Sequence, residues 1–276
     1  MLGRITREAE SITINGSGIQ GVQSISASYD SVAAPLRNLG INSIQFAPEG
    51  PQSASLSINS LFTHTASPSA PVTSVDVLQN FTGDIAFSGI VEHGEKNFIF
   101  TEGYLDSYSA ACSIGEIPQI STSATIYGEF GTGVLENVPT DSYPTTLNIP
   151  SYSSMEINLD TFKTNRVTNF SVSITTPRIP LYALGQATPT GVIAGNPVRV
   201  DVNFSIEPDD YEIKNMRFVP EQTVFQDTTI TLKKNNTNIE LLKYSFDDML
   251  LVSEAFQGGA ADNATIDFGL TSFILR

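Results

Sequence analysis

Residues 22–40 and 167–185 align without a gap, and recurrence on that scale limits a chain to architectures built from two copies of one unit. VQSISASYDSVAAPLRNLG and VTNFSVSITTPRIPLYALG keep one offset throughout and share Val22/Val167, Ser26/Ser171, Ser28/Ser173, Pro35/Pro180, Leu36/Leu181, Leu39/Leu184 and Gly40/Gly185. In each copy an alternating segment runs into Pro-Leu-x-x-Leu-Gly. Pro fixes φ and withdraws a ladder donor, two Leu three apart cover one face of a single turn, and Gly permits positive φ at the exit. Pro35, Leu36, Leu39 and Gly40 are therefore expected to fill the same structural role as Pro180, Leu181, Leu184 and Gly185.

Later landmarks recur at a slightly shorter offset, with Tyr104 matching Tyr244 and Ala124-Thr125-Ile126 matching Ala264-Thr265-Ile266. A hairpin is expected before each Tyr, turning at His93-Gly94 in the first copy and Asn235-Asn236 in the second. Period-2 alternation continues through DIAFSGIVE, KNFIFTEGYL, ISTSATIYG, MEINLDTF, PVRVDVNFSI, TTITLKK and ATIDFGLTSFIL, which predicts an all-β fold. A turn or two of helix is expected near Ser74–Phe81 and near Asp247–Phe256, so each copy carries at most one short helix. The segment 131–151, with three prolines, two glycines and no periodicity, reads as the boundary. The expected organisation is a first domain at 1–135, a linker at 136–151 and a second domain at 152–276. Irregular stretches at Ala47–Ser53 and His64–Thr73 read as functional or interfacial loops.

Residue types that carry chemistry are scarce. The two histidines, His64 and His93, lie far apart in sequence, and the single Cys112 sits among apolar residues without a nearby His or Lys. It reads as a buried structural thiol that forms no internal disulfide. Asp209-Asp210 and Asp247-Asp248 are adjacent carboxylates, which a strand points to opposite faces, and no Ca²⁺ loop surrounds them. Asn15-Gly16-Ser17-Gly18 reads as a turn. No catalytic, cofactor or metal site is expected. The net charge of −15 divides as −10 over residues 1–145 and −5 over 146–276. Such a chain does not grip nucleic acid, which is bound through Lys and Arg; the acidity either keeps the protein soluble or repels nucleic acid. The opening MLGRITREAESITING is polar and reads as no secretory leader, and no stretch approaches the ~18 apolar residues of a membrane helix.

An alternating strand with a Pro-Leu-x-x-Leu-Gly exit, irregular loops, hairpins closing on a Tyr-bearing segment, and the phrase GYLDSYSAACSIGEIP at residues 103–118 together resemble the tail tube proteins of bacteriophages, in the duplicated form of some long-tailed phages. The resemblance spans roughly 10–130 and 152–276. It implies two tandem β-barrel or sandwich domains in a virion structural protein assembled in the host cytoplasm. Three chains would close a pseudo-sixfold ring, rings would stack, and DNA would pass through the lumen without specific binding. The implied partners are other copies of the chain and the tape-measure, tail-tip and terminator proteins of the tail, with no membrane and no enzymatic activity. Two other readings remain at this point: a distal tail or baseplate hub protein, and a β-sandwich adhesin or carbohydrate-binding module. A glycosidase acting through Asp and Glu is the enzymatic counterpart.

Overall fold

The computed structural model describes residues 10–62, 85–133, 154–207, 224–258 and 264–274, apart from short connections at 20, 31–32, 38–43, 49–51, 94–95, 161, 185, 187 and 234–239. The linker at 136–151, the loop at 64–73, the expected helix at 74–81 and Asp209-Asp210 lie outside these residues. Among the described residues there are 19 strands and no helix, so the fold is all-β. The first half forms β1 (Glu10–Ile14), β2 (Ser17–Gly18), β3 (Val22–Asp30), β4 (Ala33–Arg37), β5 (Ile44–Pro48), β6 (Ser53–Leu61), β7 (Phe87–His93), β8 (Lys96–Ser113), β9 (Gln119–Ile126) and β10 (Phe130–Thr132). The second forms β11 (Ser154–Leu159), β12 (Phe162–Thr164), β13 (Val167–Thr175), β14 (Arg178–Leu181), β15 (Gly191–Ala194), β16 (Val198–Ile206), β17 (Val224–Lys233), β18 (Glu240–Gln257) and β19 (Thr265–Ile274).

Strand order runs β2-β1-β7-β8-β9-β6-β3 in the first half and β12-β11-β17-β18-β19-β16-β13 in the second. Adding ten to each label turns one order into the other. The side hairpins β4–β5 and β14–β15 correspond in the same way, and β10, which pairs with β8, is the one strand of the first half with no described counterpart. The halves are joined edge to edge, because β13 pairs antiparallel with the end of β8, from Asn169↔Ser113 to Thr175↔Ser107. A single sheet therefore runs through both halves.

The backbone irregularities recur as well. Asn15 and Asp160 both sit at φ 47°, each in the turn of the opening hairpin, and Glu102 and Asp248 have φ 52° and 51° in β8 and β18. Bulges fall at Gln23 and Thr168, and again at Asp106 and Val252. These positions fix the true correspondence. Up to β3/β13 it keeps the offset that takes Val22 to Val167, and for β6/β16, β8/β18 and β9/β19 it is longer by a single position. The Ser60↔Ile120 pair corresponds to Ile206↔Ile266. Tyr104 thus corresponds to Leu250, and Ile126 to Ser272, so the matches of Tyr104 with Tyr244 and of Ile126 with Ile266 are coincidences of sequence. Asp247–Phe256 is also strand, within β18. The positive φ at Asp248 and the bulge at Val252 each reset the alternation, which leaves apolar residues at spacings that imitate a helix.

Alternation gives the sheet two unlike faces. One carries the core, which spans both halves and includes Ile12, Ile14, Leu56, Ile58, Phe100, Tyr108, Ile157, Leu159, Phe170, Val172, Phe204 and Phe268. In the second half the sheet curls until β11, next to one end of its strand series, and β13, at the other end, bring Cα atoms within 8 Å of each other. The opposite face is polar. One cross-strand row reads Ser24, Asn59, Ser121, Ser109, Ser173, Asp201 and Thr271 across seven strands, each residue opposite the next. Short hydroxyl and amide groups bond along it: Asn59 Nδ2 donates to Ser24 Oγ at 3.0 Å, and Thr271 Oγ1 to Asp201 Oδ1 at 2.9 Å.

The two opening turns share one device. Asn15 Oδ1 accepts from Ser88 N at 2.9 Å while Asn15 N donates to Ser88 O at 2.8 Å. Asp160 Oδ1 accepts from Asp227 N at 2.8 Å while Asp160 N donates to Asp227 O at 3.0 Å. Only an Asx side chain both tolerates the left-handed turn and reaches the facing strand. Asn15→Ala and Asp160→Ala should each cost about 2 kcal/mol, from the lost bond and the left-handed strain, read as a lower urea midpoint with an unchanged m-value. Asn15→Gly, which keeps the backbone freedom, should recover about half of the loss.

Candidate assembly surface

The joint between the halves combines a backbone ladder with side-chain hydrogen bonds and ring contacts. Seven consecutive residues of β13 pair with β8, and backbone bonds continue the ladder at both ends, with Thr176 N donating to Asp106 O at 2.8 Å and Ile114 N to Thr168 O at 2.9 Å. Arg178, just past the bend that follows β13, donates from Nε and Nη2 to Leu105 O at 2.8 and 2.5 Å. Its guanidinium lies 5.7 Å from the centre of the Tyr104 ring, and Tyr127 packs edge-on against Tyr104 at 6.0 Å. At the β8 bulge, Thr125 Oγ1 donates to Asp106 Oδ2 at 2.7 Å. Burial raises the Asp106 carboxyl above its ordinary value, against the opposing pull of the Thr125 hydrogen bond and the Arg178 charge. Deeper in, the hydroxyls of Tyr108 and Tyr244 meet at 2.6 Å, a buried contact between the two halves. Burial also drives the Tyr244 phenol well above its ordinary value, so it stays neutral.

The outer strands of the sheet are less complete. Among the described residues β3 pairs with β6 alone, leaving its second edge free. The end of β18 pairs with β19 from Leu251 to Gln257, while β17 covers its other edge only as far as Leu250. Unpaired edges are templates for further strands. Two exposed apolar side chains, Val252 and Phe256, lie on this stretch.

The recurring Pro-Leu landmarks lie in the side hairpins, Pro35 and Leu36 of β4 facing Phe46 and Gln45, Pro180 and Leu181 of β14 facing Val192 and Gly191. Instead of ending a ladder, each proline sits inside a two-stranded one, where an outward-facing edge has no need of its donor. Nor do the leucines cover a buried face in the second half. Leu181 is half exposed and Leu184 is fully exposed, and with Ile179, Tyr182 and Ile193 they give the β14–β15 hairpin an apolar surface. Leu39, Gly40 and Gly185 lie outside the described residues, as does His64. His93 closes β7 opposite Lys96, so the β7–β8 connection is residues 94–95. Asp247 faces Asp227 across β17 and β18, and among the described residues no group of three metal-ligating side chains converges. A cleft of about 670 Å³ at one end of β3, β6 and β9 is lined by Tyr29, Glu102, Tyr127, Glu129, Phe130 and Thr188, among others.

The Tyr108–Tyr244 bond is expected to couple the halves. Tyr108→Phe and Tyr244→Phe should each cost about 1–3 kcal/mol by stranding the partner hydroxyl, and the double variant should cost clearly less than the sum in a denaturation double-mutant cycle. Cys112 is buried in β8, and burial, with Glu116 adding to it, pushes its thiol up to about 11. At pH 8 its thiolate fraction is then about one in a thousand, so iodoacetamide should leave it unmodified in the folded protein and alkylate it readily in urea, as read by intact mass.

No family model matches the chain, and no curated protein is significantly similar to it.

Proposed function

We propose that this chain is a structural subunit of a bacteriophage tail tube, forming rings that stack around a channel through which DNA passes. The observation that carries the reading is the edge-to-edge union of two halves with one strand order, which among the described residues leaves the second edge of β3 and the far end of β18 free. A chain of this kind already contains one joint of a repeating ring. Contacts between unlike surfaces extend indefinitely or close on themselves, and three chains with two halves each complete a sixfold-like circle. β-Augmentation of this sort also relieves the hazard of bare edges.

The polar face supports a channel lining. Along the β3-to-β19 row it presents hydroxyls and amides with no lysine, and its Arg199 is held by Asp201 at 2.8 Å. Such a surface gives phosphates no unpaired cation to displace counterions onto. DNA therefore slides past without specific binding, through near-neutrality more than through strong acidity. The apolar β14–β15 hairpin suits contact with the adjacent ring or with the tape-measure, terminator or tail-tip proteins. A virion role in the tail, and no catalysis, follow from the same reading.

Electron microscopy of the purified protein tests this. Rings with threefold or pseudo-sixfold symmetry, or hollow tubes built from them, are the expected result. Monodisperse monomers at high concentration, or retention on DNA–cellulose at physiological salt, would overturn the reading.

A further inference from the structure

We infer that the joint between copies is a residue-for-residue replica of the joint inside the chain: the free edge of β3 in one copy adds to the free end of β18 in another, in a register set by the internal seam. The inference deepens the ring reading and rests on it for the identity of the partner, a second copy of this chain. Its support is what the two free edges carry.

At the internal seam Val172 faces Ala110 and Phe170 faces Cys112. Carrying the seam across by the offsets that the bulges fix places Ser26 opposite Gln257, Ala27 opposite Phe256, Ser28 opposite Ala255 and Tyr29 opposite Glu254. Exposed positions whose counterparts are buried at the internal seam are then covered. Ala110 is 3% exposed and its counterpart Phe256 is 68% exposed; Tyr127 is 7% exposed and its counterpart Phe273 is 55%. On the other edge Val172 is wholly buried, whereas Ala27 in the same position of β3 is exposed. Phe256 lies opposite the buried Ile266 and Ala27 opposite the buried Leu56, so both project from the core-bearing face of the sheet.

Side-chain sizes are exchanged across the two seams. Inside the chain the β13 residue is large and the β8 residue small, as Val172 with Ala110; between copies the β3 residue is small and the β18 residue large, as Ala27 with Phe256. The exchange is confined to that pair: Ile25 falls beside Gly258 large against small, in the same sense as Phe170 beside Cys112. Total volume at the pair is accommodated in each seam, while a wrong pairing of β13 with β18 would set Val172 against Phe256, and β3 with β8 would leave Ala27 and Ala110 with a void. The polar clamp is also confined to one seam. Asp106 and Arg178 sit together at one end of the internal joint, and the corresponding positions are Val252, 59% exposed, and Ala33. The internal seam is thus locked by charge and hydrogen bonds, and the intermolecular seam closes by apolar burial. Copies join in one direction only.

Disulfide trapping reads the register. Thr176 and Asp106 are a hydrogen-bonded pair, so the Ser173↔Ser109 pair three places on is of the closely spaced kind, and Ser28 with Ala255 inherits that spacing. A chain carrying Ser28→Cys mixed with one carrying Ala255→Cys should give a covalent dimer on mild oxidation, and neither chain alone should. The double variant should close as a covalent trimer, whereas Ser24→Cys paired with Ala255→Cys, well out of register, should trap at least about tenfold less. Size exchange supplies the second arm. Phe256→Asp should raise the concentration needed for assembly at least about tenfold while circular dichroism stays unchanged. Ala27→Phe should block assembly, and Ala27→Phe with Phe256→Ala should restore it. Rings by electron microscopy without the 28–255 bond would overturn this seam and leave the ring function standing. The 28–255 bond in dimers or open filaments that never close would uphold the seam and remove the ring. Failure of both, or a Phe256→Cys thiol already shielded in a monomer, overturns the seam.

Discussion

The backbone ladder between β8 and β13 is the interaction on which the rest depends. Without it the chain is two small sheets, each with an apolar stripe along a bare edge; with it the core runs unbroken from one half to the other. β8 manages this by serving different partners along its 18 residues. Its first part pairs with β7, its last part with β13, and β9 occupies the opposite edge. The left-handed Glu102 and the bulge at Asp106 lie between those two tasks. They turn the strand from its own half's sheet toward the neighbour's, and the same pair of irregularities at Asp248 and Val252 leaves β18 aimed at a place where no described strand stands.

Much of this was legible in the sequence, and the boundary of legibility is physical. Over Val22–Leu36 and Val167–Leu181 the ungapped alignment held because β3 and β13, with the hairpin strands that follow, keep one offset and one bulge position. All-β character was readable wherever alternation was intact, as in PVRVDVNFSI or ISTSATIYG. It failed at DDMLLVSEAF, where two breaks of phase within a few residues look like a helical stripe. The Tyr104/Tyr244 match failed for a related reason: the connections before and after β7 differ in length from those around β17, so identity of residue type drifted away from identity of position. Register, which a sequence does not print, separated the two.

The candidate surface was less visible still. Nothing in the run of residues marks Asp106, Arg178 or Tyr108 as neighbours, since their contact depends on a strand pairing between segments distant in the chain. The Pro-Leu landmarks drew attention because they repeat, yet they lie in hairpins beside the main sheet. What the repeat does contribute is a comparison within one molecule. A residue buried in one copy and bare in the other is a measure of what each position lacks, and Ala110 with Phe256 and Tyr127 with Phe273 are such pairs.

The division of labour along β8 also bears on how the polypeptide emerges from a ribosome. Its far edge stays vacant until β13 has been made, which at cellular elongation rates is an interval of about 3–12 s. During that interval a nascent chain displays the Tyr108-to-Cys112 strip that β13 will cover, next to other nascent chains on the same message. Strand exchange among them is the characteristic error of such a design. The charge clamp at Arg178, which arrives just behind β13 and engages the chain's own Leu105 carbonyl, rewards the correct partner at the moment it becomes available.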